Sequence, residues 1–175
     1  MMEPKITTPL TKAIIISLVI IAISMATAFL NQKVNGSFQW LGYVIFLAGI
    51  ILSITYYGKQ VDHQSTFGNY FAHGFKVAAI VTIIMIFYIV IFMSIFPEFK
   101  EKAFEEARKG MENKNLSEEQ MDKALDITKR FFTVLLIGGT LVYYLFMGVI
   151  SALIGAAITK KNPDSFQHDI NQIGG

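Results

Sequence analysis

VAAIVTIIMIFYIVIFMSIF, residues 77–96, runs twenty positions without a charge and is followed at once by Pro97. A helix of twenty residues rises about 30 Å, the thickness of a bilayer's hydrocarbon core. Proline has no N–H for the helical ladder and its ring crowds the preceding turn, so Pro97 is expected to mark the end of this span. The stretch sets the class of the chain, because an apolar run of this length calls for lipid around it.

The same reading extends to both sides. Between Lys12 and Lys33 lie twenty uncharged residues, whose centre, 13–30, is almost all Ile, Val, Leu, Ala and Met. From Val34 to Gly58 the chain is again uncharged, with an apolar heart at 41–57 bounded by Trp40 and by Tyr56 and Tyr57. Trp40 and Tyr56 stand about 24 Å apart on a helix, near the spacing of the two aromatic belts that flank a hydrocarbon core. A fourth run, 131–158, would be roughly 42 Å long as a helix and must tilt or protrude. With these bounds no Asp, Glu, Lys, Arg or His falls inside a span, which argues against a coupled transporter, since such proteins bury ionisable groups near the midplane.

The composition agrees. The chain of 175 residues is 53% hydrophobic and 16% charged, with a net charge of +2 and no cysteine. Mean hydropathy is +0.49. No broad basic face is present, so no nucleic-acid partner is expected. Disulfides, thiolate nucleophiles and cysteine zinc sites are excluded. The first span has a rival reading as a cleaved signal peptide, with Ala26, Thr27 and Ala28 as a small-x-small site. The length of the run, Glu3 and Pro4 in its leader, and the return of hydrophobicity at Phe29 and Leu30 favour a retained helix.

The connections carry the remaining information. Segment 60–76 mixes Asp62, His63, His73 and Lys76 with Phe67, Tyr70, Phe71 and Phe75 at helical spacing, which reads as an interfacial helix capped by Ser65 or Thr66. Asp62, His63 and His73 have the chemistry of metal ligands or an acid/base set, because imidazole titrates near neutrality. Their spacing has no tight HxH or HxxxH form, and polar surface at a headgroup boundary is the better reading. No catalytic, cofactor or metal residue is therefore nominated, and no cofactor is expected.

Residues 98–130 hold eight of the fifteen Lys and Arg and nine of the thirteen Asp and Glu. Phe99, Ala103, Phe104, Ala107 and Met111 form an apolar stripe, with Glu98 and Lys102, and Glu105 and Lys109, paired at i,i+4. Asn113, Lys114 and Asn115 break this helix. Ser117 and Gln120 then make a capping box, and Leu116 can staple onto Met121. The second helix, with Met121, Ala124, Leu125 and Thr128 on its apolar face, is expected to run into the fourth span and to pack antiparallel to the first. This helical hairpin reads either as a docking surface or as a solvated extension that buries its own stripes. In the fourth span Gly148, Ala152 and Ala156, and Ser151, Gly155 and Thr159, recur every four residues, suiting close helix packing or a self-association face. Gly138 and Gly139 suggest a kink.

Three stretches together resemble the bacterial membrane family catalogued as domain of unknown function 4199. They are Thr66-Phe67-Gly68 with Phe71, Gly74 and Phe75; Met111 to Ala124 around Ser117-Glu118-Glu119-Gln120-Met121; and Ile150-Ser151-Ala152-Leu153-Ile154 leading into Lys160 and Lys161. The resemblance covers nearly the whole chain. It implies a cytoplasmic-membrane protein typical of Bacteroidota, with no activity or functional residue to carry over.

The expectation is thus an all-α integral membrane protein, one membrane domain over 1–175, with spans at about 13–30, 41–57, 77–96 and 131–158 and a hairpin at 98–130. Lys5, Lys12, Lys59, Lys76, Lys160 and Lys161 favour cytoplasmic termini, whereas the eight basic residues of the hairpin oppose that orientation. Functionally, the sequence favours a non-enzymatic inner-membrane protein that associates with membrane lipid or a protein partner, through the hairpin or the small-residue face. The alternative is a passive channel or small-solute transporter, expected to be oligomeric, with polar side chains such as Ser24, Thr27, Thr82, Tyr88, Thr140 and Tyr144 along its pore.

Overall fold

The computed structural model describes residues 7–30, 39–112 and 117–159, and among them every regular element is helical. Lys5, Lys33, Leu116, Lys160 and Lys161, the Asn113 to Asn115 break and the Glu3-Pro4 leader lie outside the described residues. The elements are α1 (Pro9–Leu30), α2 (Gln39–Gln60), α3 (Phe67–Ile95), α4 (Pro97–Glu112) and α5 (Glu118–Ile158). Four of them, all but α4, are long and apolar enough to cross a membrane.

Local chemistry accounts for the boundaries. Thr8 caps α1, its Oγ1 accepting from Thr11 N at 3.2 Å, and Pro9 takes the first helical position, where a missing N–H costs nothing. Thr66, rather than Ser65, caps α3 by accepting from Asn69 N at 3.3 Å. Pro97 separates α3 from α4 as expected, and Phe92, Phe96 and Phe99 pack their rings around that turn with centroids 5.0–6.3 Å apart. At the start of α5 the capping box is formed in both directions: Ser117 N donates to Gln120 Oε1 at 3.1 Å, and Gln120 N to Ser117 Oγ at 3.4 Å. The helix then runs unbroken for 41 residues, about 61 Å, from its charged start through the fourth span. No break occurs at Gly138 or Gly139, where an added Cβ would meet nothing within 4 Å.

The chain divides into two compact units, residues 85–142 forming one and the remainder the other. In the unit of 85–142, the protected face of α4 is Phe99, Ala103, Phe104, Ala107 and Met111, and that of α5 is Met121, Ala124, Leu125 and Thr128, as the stripes require. Phe104 is buried against Phe132 with ring centroids 5.0 Å apart. Lys100 lies over Phe132 and Lys129 over Phe104. The i,i+4 ion pairs differ from those expected: Arg108 meets Glu112 at 3.7 Å and Lys123 meets Glu119 at 2.7 Å, while Lys102 lies over the Phe99 ring. A lysine beside an exposed aromatic face gains as much there as in a solvated ion pair, so helical spacing alone does not select the partner.

The other unit is a close packing of α1, α2, the first part of α3 and the last part of α5. Its core residues fall on one face of each helix: Ala13, Ile16 and Ile20 on α1; Phe46, Ile50 and Ile54 on α2; Tyr70, Val77, Ala78 and Val81 on α3. The small residues of α5 form its buried face, with Gly148, Ser151, Ala152, Gly155 and Ala156 all inside. Ile54 fills the notch between two glycines. A Cβ on Gly155 would stand 2.5 Å from Ile54 Cδ1 and 3.3 Å from the Ile51 backbone, and one on Gly74 would collide with the same Ile54 side chain. Gly148 takes Ala78 in the same way, and Gly49 takes Ile16. In lipid the apolar side chains gain little by leaving their surroundings, so such backbone-to-side-chain contact supplies the association energy. The small-residue face is therefore occupied by α2 and α3 within the chain.

Two expectations are corrected. Residues 67–76 are not a separate interfacial helix but the first turns of α3, and their inner face is Tyr70, His73 and Gly74, while Phe67 and Phe75 point outward. Gly74 decides this, because it is the residue that admits Ile54. The described spans also reach further than the apolar runs, so Lys12, Lys59, His73 and Lys76 all belong to spanning helices. No ionisable residue falls inside the apolar bounds of the spans, but the helices that carry them hold these four near their ends.

Gly155→Val is expected to lower thermal stability in detergent by about 1–3 kcal/mol, since the Ile51 backbone has no room to yield. Gly139→Ala should leave it within a few tenths of a kcal/mol, roughly the scale of an exposed substitution. Melting curves by fluorescence-detected size exclusion compare the two; equal losses would contradict the packing described.

Candidate functional site

The capped start of α1 places Lys12 one turn inside the helix, with its side chain directed between α2 and α3. Lys12 is 8% exposed and His73 7%. Lys12 Nζ donates to the Ser53 carbonyl oxygen at 3.1 Å and lies 3.2 Å from His73 Nε2. A protonated lysine has no lone pair, so in that state it donates to Nε2 and the histidine is neutral with its proton on Nδ1. Tyr57 stacks on the His73 ring, centroids 4.2 Å apart and planes 5° from parallel. The rings of Tyr56 and Tyr57 stand 5.2 and 5.5 Å from Nζ, close enough for cation–π attraction. One side chain thereby joins three helices.

His73 is thus not polar surface, and the structure gathers it with Lys12, Ser53 and Tyr57. Asp62 and His63 instead form the turn after α2, with φ of 50° and 56°. His63 N donates to Gly58 O at 2.8 Å and Asp62 N to Lys59 O at 3.3 Å, the paired bonds of a Schellman cap. The role of Asp62 and His63 is to end a helix. Among the described residues no three His, Asp or Glu side chains gather as a metal-holding group. Ser53 Oγ stands 3.4 Å from His73 Nε2. Lys12 shares that nitrogen at the shorter distance, so the pair is not set up to take a hydroxyl proton.

Outside this cluster lies a groove of about 560 Å³ between α1 and α2. Its polar end is made by Thr7, Thr11, Lys12, Tyr56 and Lys59, and its apolar wall by Ile15, Ile16, Gly49 and Leu52. Thr7 and Gln60 tie the polar end, Thr7 Oγ1 donating to Gln60 Oε1 at 2.9 Å. From Gly49 to Lys59 the groove follows α2 for about 15 Å, half the hydrocarbon thickness. Ile15 and Leu52 remain 57% and 66% exposed on its walls. Sequence reasoning missed Lys12 by treating it as the charge that closes a span. The Thr8-Pro9 start signal, which places Lys12 inside the helix, was the available clue.

Helices of this length and apolarity, with large side chains such as Leu18, Phe87 and Val142 turned outward, define a multi-pass integral membrane protein. The family model described as protein of unknown function (DUF4199) matches residues 11–161, and the chain belongs to that family. No curated protein and no solved structure matches.

If the Lys12 contact is an energetic tie, His73→Phe, which keeps a stacked ring but removes the acceptor, should destabilise the protein by about 1–3 kcal/mol. Adding Lys12→Met should restore most of that loss, because both halves of the polar contact are then gone. Failure of the double variant to recover, read by thermal unfolding in detergent, would show that the contact is not what holds these helices.

Proposed function

We propose that this protein is a non-catalytic component of the bacterial cytoplasmic membrane, with both termini cytoplasmic, that acts by association with a membrane lipid held between α1 and α2. The observation that carries this reading is the groove itself. It is polar at one end and apolar along the other, runs about the depth of one leaflet, and keeps large apolar side chains exposed on its walls. An amphiphile matches that gradient along its whole length. The hairpin is a weaker candidate for the docking role, since Phe104 is already covered by Phe132.

Native mass spectrometry of protein released in mild detergent tests the reading. Wild type should retain lipid adducts. Ile15→Phe combined with Leu52→Trp, which fills the groove from exposed positions, should lose them while keeping its melting temperature; unchanged adducts would rule the groove out. Orientation has its own test. The chain has no cysteine, so single cysteines at Gln64 and at Lys109 can be labelled with an impermeant maleimide on intact cells. With cytoplasmic termini, Lys109→Cys is labelled and Gln64→Cys is not.

A further inference from the structure

Resting on that lipid reading, we infer that the occupant of the groove is an anionic phospholipid, its phosphate at the Lys59 mouth and its chain along Ile15 and Leu52. Charge complementarity selects this class. Among the described residues the lining includes two lysines and no Asp or Glu. Among those residues neither lysine has a carboxylate partner, the ion pairs being Arg108 with Glu112 and Lys123 with Glu119. Lys12 is pinned by Ser53 O, His73 and the tyrosine rings, so it is a fixed cation beneath the mouth rather than a side chain free to fold outward.

Lys59 is different. It is exposed, carries three donors on a flexible stem, and stands on the last turn of α2 beside Thr7 and Thr11 of the α1 start. Thr11 Oγ1 lies 3.0 Å from Thr8 Oγ1, so one hydroxyl of that pair has its proton to give outward. A phosphate diester brings one negative charge and acceptor oxygens to this point, whereas a zwitterionic headgroup also brings a positive charge toward two cations. The first is favoured and the second opposed.

The test is competition in nanodiscs holding phosphatidylglycerol and phosphatidylcholine of matched chains, followed by native mass spectrometry of the lipid that stays with the protein. Wild type should retain phosphatidylglycerol over phosphatidylcholine by about fivefold or more per cation engaged. Lys59→Gln, at an exposed position, should cut that preference by about fivefold while total lipid retention stays the same. The Lys12→Met/His73→Phe variant should cut it as well. Equal retention of the two lipids by wild type, with both lost from the Ile15→Phe/Leu52→Trp variant, would overturn the anionic assignment and leave the lipid reading standing. Retention that ignores the filled groove would overturn both. Displacement of bound lipid by soluble glycerol phosphate would also overturn the inference, since the headgroup alone would then be the ligand.

Discussion

Lys12 brings a cation into the end of a membrane bundle whose described residues offer it no carboxylate, and the arrangement around it follows from that constraint. A buried charge without a counter-ion is costly, so its three donors must be met by dipoles and π faces. The Ser53 carbonyl and the two tyrosines supply them from neighbouring positions of α2, and the His73 ring from α3. To bring those groups together, α2 and α3 must approach closely. Gly74 and Gly155 allow this by receiving Ile54 from both sides. The polar cluster and the glycine notch thus belong to one layer of the packing, with Ser53 next to Ile54 on α2 and His73 next to Gly74 on α3.

Much of this was legible in the sequence, and the reasons differ by element. The four spans, the stop at Pro97, the capping box at Ser117 and Gln120, and the run of α5 into the last span follow from backbone chemistry that neighbours do not alter. The small-residue face of α5 was legible as a surface but not as to its partner. Residues 67–76 read as a separate interfacial helix, whereas they are the first turns of α3. Four aromatics at helical spacing mark an apolar face, but in lipid a large apolar side chain is equally content outside, and the glycine decides what lies within. For the same reason Lys12 was read as a boundary. Hydropathy places the end of a span where charge begins, whereas the helix begins at Thr8 and Pro9, a turn earlier.

The groove joins these features to the proposed function. Its polar end includes Lys12 from the start of α1 and Lys59 from the end of α2, and its wall includes Ile15 and Leu52, positions that the core has no use for. Lysines at that end agree with a cytoplasmic face, where the anionic lipids of the leaflet attract them. A bundle that carries positive charge on its lipid-facing side, with no carboxylate beside it among the described residues, gains stability when an anion of the bilayer supplies the partner. On this account the lipid completes the polar cluster electrostatically, and the protein's association with the membrane is selective as well as structural.

The most direct measurement is magic-angle-spinning dephasing of lysine 15N by lipid 31P in bilayers containing phosphatidylglycerol, with Lys59 and Lys12 assigned by substitution. The account predicts strong dephasing at Lys59, at hydrogen-bonding range, and weaker dephasing at Lys12 behind it. Dephasing no greater at Lys59 than at Lys109, which lies on the exposed face of α4, would contradict it.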